Sequence, residues 1–394
     1  MKREIDSRLE ILSWLENPEP AIFQGQDLRE FDAAIAVSDL RNCVFLGCEL
    51  GLDLAKAIAI PDNECSVIHK PSGLPFNPFK STLYTSEELY NDYDPDIEHS
   101  YKNCLDREIY CSYVDCEIDV PDNVRPILEV DVEEMLMRRI HDASISDALD
   151  DLLDEPTKMR TVAIMGGHDI PRNSASYKQT VVLAYRLSRL GYMIASGGGP
   201  GLMEAANLGA YLSGFANGLE KVDPVVALLS DAPVYDHIDW LEIGFRAKFL
   251  LGAPDDVERS KNIGIPTWFY GHEPPNVFAT HVAKYFENSA REDGLLAIAW
   301  AGVIFARGNS GTVQEIFQDA NQNYYKVFGK MQSPMVLLES QYWNPTPGAP
   351  CLAKAKPVYP LLLALAKEKD FEDKLLLTDS SEEIVGFISR HTPL

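Results

Sequence analysis

The stretch Ile194-Ala195-Ser196-Gly197-Gly198-Gly199-Pro200-Gly201-Leu202-Met203-Glu204-Ala205-Ala206-Asn207 decides the reading of this chain, because it runs from an apolar strand through a glycine turn into a helix. Glycines let a backbone approach an anion closely. The unpaired N–H groups of the helix's first turn, with the helix dipole behind them, supply the favourable charge. A second turn of the same kind follows downstream, Arg307-Gly308-Asn309-Ser310-Gly311-Thr312-Val313-Gln314-Glu315. Two such turns at comparable points of one sheet make a nucleotide pocket.

Outward from these turns the pattern is strand, glycine turn, helix, repeated. Thr161–Met165 is a strand ending in Gly166-Gly167-His168, residues 174–190 carry apolar positions at helical spacing, and residues 192–195 form the next strand. Residues 263–269 read as a third strand, 277–298 as one long helix, 302–306 as a fourth strand and 312–325 as a helix. A strand at 335–338, a helix at 358–366, a strand at 375–377 and a helix at 382–390, capped by Ser380 or Asp379, complete the series. The alternation implies an α/β fold, a Rossmann-like doubly wound, mostly parallel sheet. Residues 212–262 break the rhythm and read as an insertion, with a strand at 225–229 and a helix at 241–251. An acidic helix at 141–155 before Pro156 marks a boundary between an N-terminal α+β domain, 1–155, and the nucleotide-binding domain, 156–394. In the first domain Asp27-Leu28-Arg29 and Asp39-Leu40-Arg41 hint at short repeating turns, but two copies are too few to define a solenoid, and chance similarity is the reading taken.

The chain has 394 residues and a net charge of −25. Residues 1–156 hold 13 Lys+Arg against 35 Asp+Glu, a balance of −22, leaving −3 for the remainder. Such a surface repels nucleic acid and anionic membranes and is compatible with a small nucleotide in a local pocket. No apolar run reaches the roughly 18 residues needed to span a membrane, and the N-terminus has no signal-peptide pattern, so the expected location is the cytoplasm. Six of seven cysteines fall in the first 116 residues, and an odd count without a secretion signal argues for reduced thiols. Cys104, Cys111 and Cys116, with His99 nearby, lack a C-x2-C knuckle and read as buried or scattered thiols rather than a metal site. No metal and no cofactor is expected.

The segment Ser196–Ala210 resembles the G-G-G-P-G-[IL]-M-E-A-A-N-x-G-A signature of the LOG (Lonely Guy) proteins, and Arg307–Glu315 resembles their P-G-G-x-G-T-x-x-E. Residues 162–167 with Tyr177, Ile265-Pro266 to Asn276, Tyr285-Phe286 to Arg291, and Tyr342-Trp343 match the surrounding family pattern. The resemblance covers about 160–390 apart from the insertion. It implies a Rossmann-like enzyme, dimeric or larger, that hydrolyses the N-glycosidic bond of nucleoside 5′-monophosphates to free base and ribose 5-phosphate. Larger bacterial relatives with an extra N-terminal domain are nucleotide 5′-monophosphate nucleosidases. The lysine decarboxylase label once given to some relatives is rejected, since no lysine here is singled out for a pyridoxal Schiff base.

Cleaving a C1′–N bond builds positive charge on the ribose, so a carboxylate beside the sugar stabilises the transition state and orients water. Glu315 is the candidate, with complementing the helix dipole as its alternative role. Arg291 occupies nearly the position of the family's active-site arginine, one residue away in a gap-free count from Gly308, and by that resemblance would fix the nucleotide or stabilise the departing base. The phosphate would sit between Gly198, Gly199 and Gly201 on one side and Gly308, Ser310, Gly311 and Thr312 on the other, with Gly166 at the end of the first strand. Glu204 either contacts a sugar hydroxyl or complements its helix dipole. His168 is either a ligand contact or a loop residue, and Trp268, Phe269, Tyr270 and His272 either stack on a base or pack in the core. Where the family has proline and a second glycine this chain has Arg307 and Asn309. Arg307 either adds phosphate affinity or points outward, and Asn309 tolerates a left-handed turn. That altered turn keeps open a nucleotide sensor that does not cleave its ligand, and a related fold keeps open a carrier of a phosphorylated cofactor such as molybdopterin.

Overall fold

The structure, a computed structural model, describes residues 2–97, 100–118, 125–269, 274–327, 332–346 and 354–392. His99, Tyr270, His272 and Cys351 lie outside the described residues. The chain forms two compact units. The described residues of the first fall within 2–83, 111–118 and 125–151, those of the second within 84–110 and 152–392.

The first unit is built on four parallel strands in chain order, β1 (Arg3–Ile5), β2 (Ala21–Gln24), β3 (Val44–Leu46) and β4 (Ser66–Ile68). Each coil returns to the sheet through a helix, α1 (Arg8–Glu16), α2 (Asp32–Ala36) and α3 (Leu52–Ile58). Ile22 pairs with Val44 and Val44 with Ser66, so successive coils repeat every 22 residues. Phe23 and Phe45 occupy equivalent positions and stack with centroids 5.0 Å apart, and the Trp14 ring meets Phe23 edge-on at 5.1 Å. Gly25 and Gly47 follow them, each donating its N–H to the next coil, to Leu46 O and Ile68 O. The architecture is thus a short parallel coil, where the sequence defined no solenoid, and the two Asp-Leu-Arg segments do not mark its period. The two Asp-Leu-Arg segments are one local turn used twice, at opposite ends of a single coil. In both, the Asp Oδ1 accepts the Arg backbone N–H, at 3.1 Å for Arg29 and 3.2 Å for Arg41. The paired guanidiniums hold Asp27 and Asp39 down at about 2. The long helix α4 (Val132–Leu152) completes the unit. Cys111 and Cys116 are joined by a disulfide, against the expectation of reduced thiols throughout, while Cys43, Cys48, Cys65 and Cys104 are free.

The second unit carries strands β5 (Thr161–Met165), β6 (Met193–Ser196), β7 (Asn262–Gly264), β8 (His281–Val282), β9 (Gly302–Phe305), β10 (Met335–Leu338) and β11 (Leu375–Thr378). They form one sheet in the order β11-β10-β9-β5-β6-β7-β8, every pair parallel. All residues of β5, β7, β9 and β10 are buried, as continuous apolar strands must be when helices cover both faces. Helix α5 (Ala175–Arg189) starts at Ser174, whose hydroxyl accepts the Tyr177 N–H, and buries Tyr177, Val181, Ala184 and Leu187. Helices α6 (Leu202–Leu212), α7 (Gly218–Leu229), α8 (Trp240–Leu251), α9 (Asn288–Ile298), α10 (Ser310–Tyr325), α11 (Tyr359–Glu368) and α12 (Ser381–His391) follow. The Rossmann-like α/β architecture read from the alternation is therefore present. From β5 the chain winds outward through β6, β7 and β8, then returns to β9 on the other side of β5. That reversal is a topological switch point, where open α/β sheets bind ligands beyond the carboxyl ends of their strands.

Three expected elements differ. Residues 225–229 lie in helix α7, because buried Val222, Val225, Val226 and Leu229 recur at helical spacing once the run is followed upstream. The long helix over 277–298 is two pieces. Asn276 Oδ1 accepts the N–H groups of Phe278 and Ala279, and the chain then runs extended beside β7 as β8 before α9 begins. The third strand stops at Gly264, since Pro266 has no N–H to give to a ladder. Among the described residues no helix is long and apolar enough to cross a membrane.

Candidate functional site

At the switch point, the loops leaving β5 and β9 are stitched together. Gly167 donates its N–H to Arg307 O at 2.9 Å and Ala306 to Met165 O at 2.9 Å. They wall a cavity of about 170 Å³ whose lining includes Gly166, His168, Gly197, Arg291, Gly311 and Glu315.

One side of the cavity is the N-terminus of α10. No side chain caps this helix, and Ser310, Gly311 and Thr312 of its first turn all line the cavity. A Cβ added at Gly311 would meet nothing within 4 Å, so its backbone is open to a ligand. The preceding turn is held from behind. Tyr342 donates its hydroxyl to Gly308 O at 2.6 Å, and burial raises the Tyr342 phenol, keeping it a donor. Gly308 has no room for a side chain: its Cβ would lie 2.0 Å from Thr312 Oγ1. It shapes the turn and is not on the cavity wall.

The opposite turn is a packing device. Gly198 (φ +74°) and Gly201 (φ +67°) are left-handed, and a Cβ would lie 2.6 Å from Pro266 Cδ at the first and 2.4 Å from Gly167 O at the second. Buried amides lock this turn: Asn276 Nδ2 donates to Gly198 O at 3.0 Å and to Asn207 Oδ1 at 2.8 Å, while Asn207 Nδ2 donates to Asn262 Oδ1 at 2.8 Å. Gly198, Gly199 and Gly201 are absent from the wall. From this turn the cavity is reached by Gly197 and Met203.

Between the turns lies the pair singled out in sequence. Arg291, on α9, donates Nη1 to Glu315 Oε1 at 2.9 Å and Nε to Ile265 O at 2.9 Å. Both side chains are at least nine-tenths buried and both line the cavity. Gly197 makes room for the guanidinium, since its Cβ would fall 2.4 Å from Arg291 Nη2.

Several other assignments change. Glu204 is a buried structural group, not a nucleotide contact. Its carboxylate accepts from Arg172 Nε at 2.8 Å, Arg172 Nη2 at 2.6 Å and Tyr177 Oη at 2.9 Å, and it is 0% exposed. Arg307 takes neither expected role: it pairs with Glu339 and lies over the Tyr342 ring. Asn309 is not left-handed, with φ −91°, and its amide donates to Asp169 Oδ2 at 3.1 Å. Trp268 is core, 1% exposed, with Nε1 donating to Asp106 Oδ1 at 3.0 Å, and Phe269 packs on Phe286 at 5.3 Å. His168 lines the cavity with its ring edge-on to Tyr235 at 5.5 Å.

Sequence reasoning missed Asn288, Glu292 and Gln314. Asn288 Nδ2 donates to Glu292 Oε1 at 2.7 Å, Gln314 Nε2 donates to Glu292 Oε2, and Asn288 and Glu292 line the cavity. The available signals were the position of Glu292 directly after Arg291 and the i,i+4 spacing from Asn288.

No family model matches the chain, and no curated protein does. Among solved structures it is similar to the molybdenum cofactor binding protein from the phototrophic bacterium Rippkaea orientalis, with a TM-score of 0.32 and 13% sequence identity over 58% of this chain and 95% of that one.

Proposed function

We propose that this chain is a LOG-like enzyme that binds a nucleoside 5′-monophosphate at the switch point and hydrolyses its N-glycosidic bond. The observation that carries this reading is the buried Arg291–Glu315 pair, 2.9 Å apart, beside an uncapped helix N-terminus in one cavity. In this reading the 5′-phosphate accepts the first-turn N–H groups of α10, where the dipole favours negative charge. Positive charge then develops on the ribose as the C1′–N bond breaks. The Glu315 carboxylate stabilises that charge and takes a proton from the attacking water. Arg291 fixes the carboxylate's orientation, and its positive charge stabilises the electron pair leaving with the base. The base collects a proton, and ribose 5-phosphate keeps the water's hydroxyl. The resemblance also carries the expectation of a homo-oligomer, which light scattering measures directly.

The test is release of free base from AMP, GMP, CMP and UMP, read by chromatography. Glu315→Gln should lower turnover by about 10²-fold or more while ligand still binds. No base from any of the four would sink the hydrolase reading. Stabilisation by a monophosphate recovered intact would instead assign a sensor.

A further inference from the structure

The cavity holds a second carboxylate that the chemistry above does not use. Glu292 is 4% exposed, and among the described residues no cation pairs with it. Amides hold it instead, Asn288 Nδ2 on one oxygen and Gln314 Nε2 on the other. Turning the Asn288 amide over would set its carbonyl against the carboxylate, so the nitrogen must face Glu292. Asn288 Oδ1 is then left buried with no partner, in a residue that lines the cavity.

This corner therefore presents acceptors: one amide oxygen with nothing bound to it, and carboxylate oxygens that accept more than one hydrogen bond each. A buried acceptor without a donor is costly, so the ligand group that fits here must donate. Its distance from the phosphate end narrows the choice. Gln314, which touches Glu292, lies about 3–6 Å along the helix axis from Ser310–Thr312. In a nucleotide anchored by its phosphate, that range is occupied by the sugar, with the base beyond it.

We infer that Asn288 and Glu292 accept hydrogen bonds from the 2′- and 3′-hydroxyls of a ribose, and so make this cavity selective for ribose phosphates over their 2-deoxy counterparts. The inference rests on the phosphate-anchored reading of the cavity, not on bond cleavage. A 2-deoxy sugar would leave one of these acceptors buried and unpaired, and the discrimination arises from that penalty.

Calorimetric titration of the full chain with ribose 5-phosphate, 2-deoxyribose 5-phosphate and inorganic phosphate tests it. The ribose compound should bind about tenfold to a hundredfold more tightly than the deoxy compound. Glu292→Gln and Asn288→Ala should each bring the two sugars to within about threefold while inorganic phosphate binds as before. If one variant loses phosphate binding through misfolding, the other decides. Equal affinity of the native protein for both sugars would overturn the inference, as would undiminished discrimination in a variant that still binds phosphate. Sugar discrimination without base release would sink the hydrolase reading alone, and failure of all three probes to bind would sink both.

Discussion

Two glutamates follow two glycine turns, Glu204 in the first turn of α6 and Glu315 in the second turn of α10, and the structure gives them opposite work. Consider Glu204→Gln. The Arg172 guanidinium is 1% exposed and makes two bonds to the Glu204 carboxylate, at 2.6 and 2.8 Å. Its Nη1 donates to Ala232 O and Trp240 O at 3.2 and 3.1 Å, and the group lies 4.8 Å from the centre of the Trp240 ring. At 2.6 Å and an effective permittivity near 20, the attraction is bounded at about 6 kcal/mol. Removing one partner of a buried pair leaves an uncompensated charge and costs about 3–5 kcal/mol. For a unit of this size that is a fall of about 6–20 °C in unfolding temperature. Because Glu204 is not on the cavity wall, affinity for inorganic phosphate should stay within about twofold in the folded fraction. Differential scanning calorimetry and phosphate titration, run in parallel on Glu204→Gln and Glu315→Gln, read both quantities. The reasoning fails if Glu204→Gln shifts unfolding by less than about 3 °C, or if it weakens phosphate binding more than about tenfold.

The two turns should also respond differently to alanine. Gly201→Ala, at φ +67° with Gly167 O 2.4 Å from the new Cβ, should destabilise by about 2–4 kcal/mol, whereas Gly311→Ala should leave stability unchanged and cut phosphate affinity about tenfold; similar melting temperatures for the two variants would count against these roles. Asp319, buried one helical turn beyond Glu315 with no partner on Oδ2, has its carboxyl pushed up to about 8 by burial. The native state thus holds an extra proton between the ordinary carboxylate range and pH 8, so stability falls as pH rises through that window, and Asp319→Asn should flatten the slope measured from pH 5 to 8.5. An identical slope in that variant would refute the assignment. Phe45→Ala removes one ring of the Phe23–Phe45 stack and should cost the first unit about 3–5 kcal/mol in denaturant titration; a loss under about 1 kcal/mol would mean the coil does not depend on it.

What the sequence disclosed was what local pattern encodes. Thr161–Met165, the Ser174-capped helix and the second turn leading to Glu315 each combine apolar period, cap or glycine within a few residues. What it hid depends on distant partners. Glu204 looks like any acidic residue in a helix's first turn until Arg172 and Tyr177 are seen to close on it. The coil repeat was obscured because its period is carried by one phenylalanine and one glycine per turn. The more conspicuous Asp-Leu-Arg segments mark a local turn instead. Val225-Val226 read as strand because β-branched residues favour sheets, and tertiary burial of one helical face overrode that preference. Glu292 went unnoticed because a buried carboxylate satisfied by two amides leaves no motif.

The stitching of the β5 and β9 loops bears on how this protein tolerates change. Gly201 and Gly308 are far apart in sequence, with the whole of residues 212–262 between them, yet their strands are at most two places apart in the sheet. The gauge of the cavity is therefore set by inter-strand spacing, about 4.8 Å per neighbour, and by the two backbone hydrogen bonds joining Gly167 to Arg307 and Ala306 to Met165. Chain can be added or trimmed within residues 212–262, none of which lines the cavity, without altering that gauge. A single residue inserted between Met165 and Gly167, or between Phe305 and Gly308, would shift one rim against the other and misalign Glu315 with the phosphate end. The fold is permissive over long distances along the chain and exacting over two short ones.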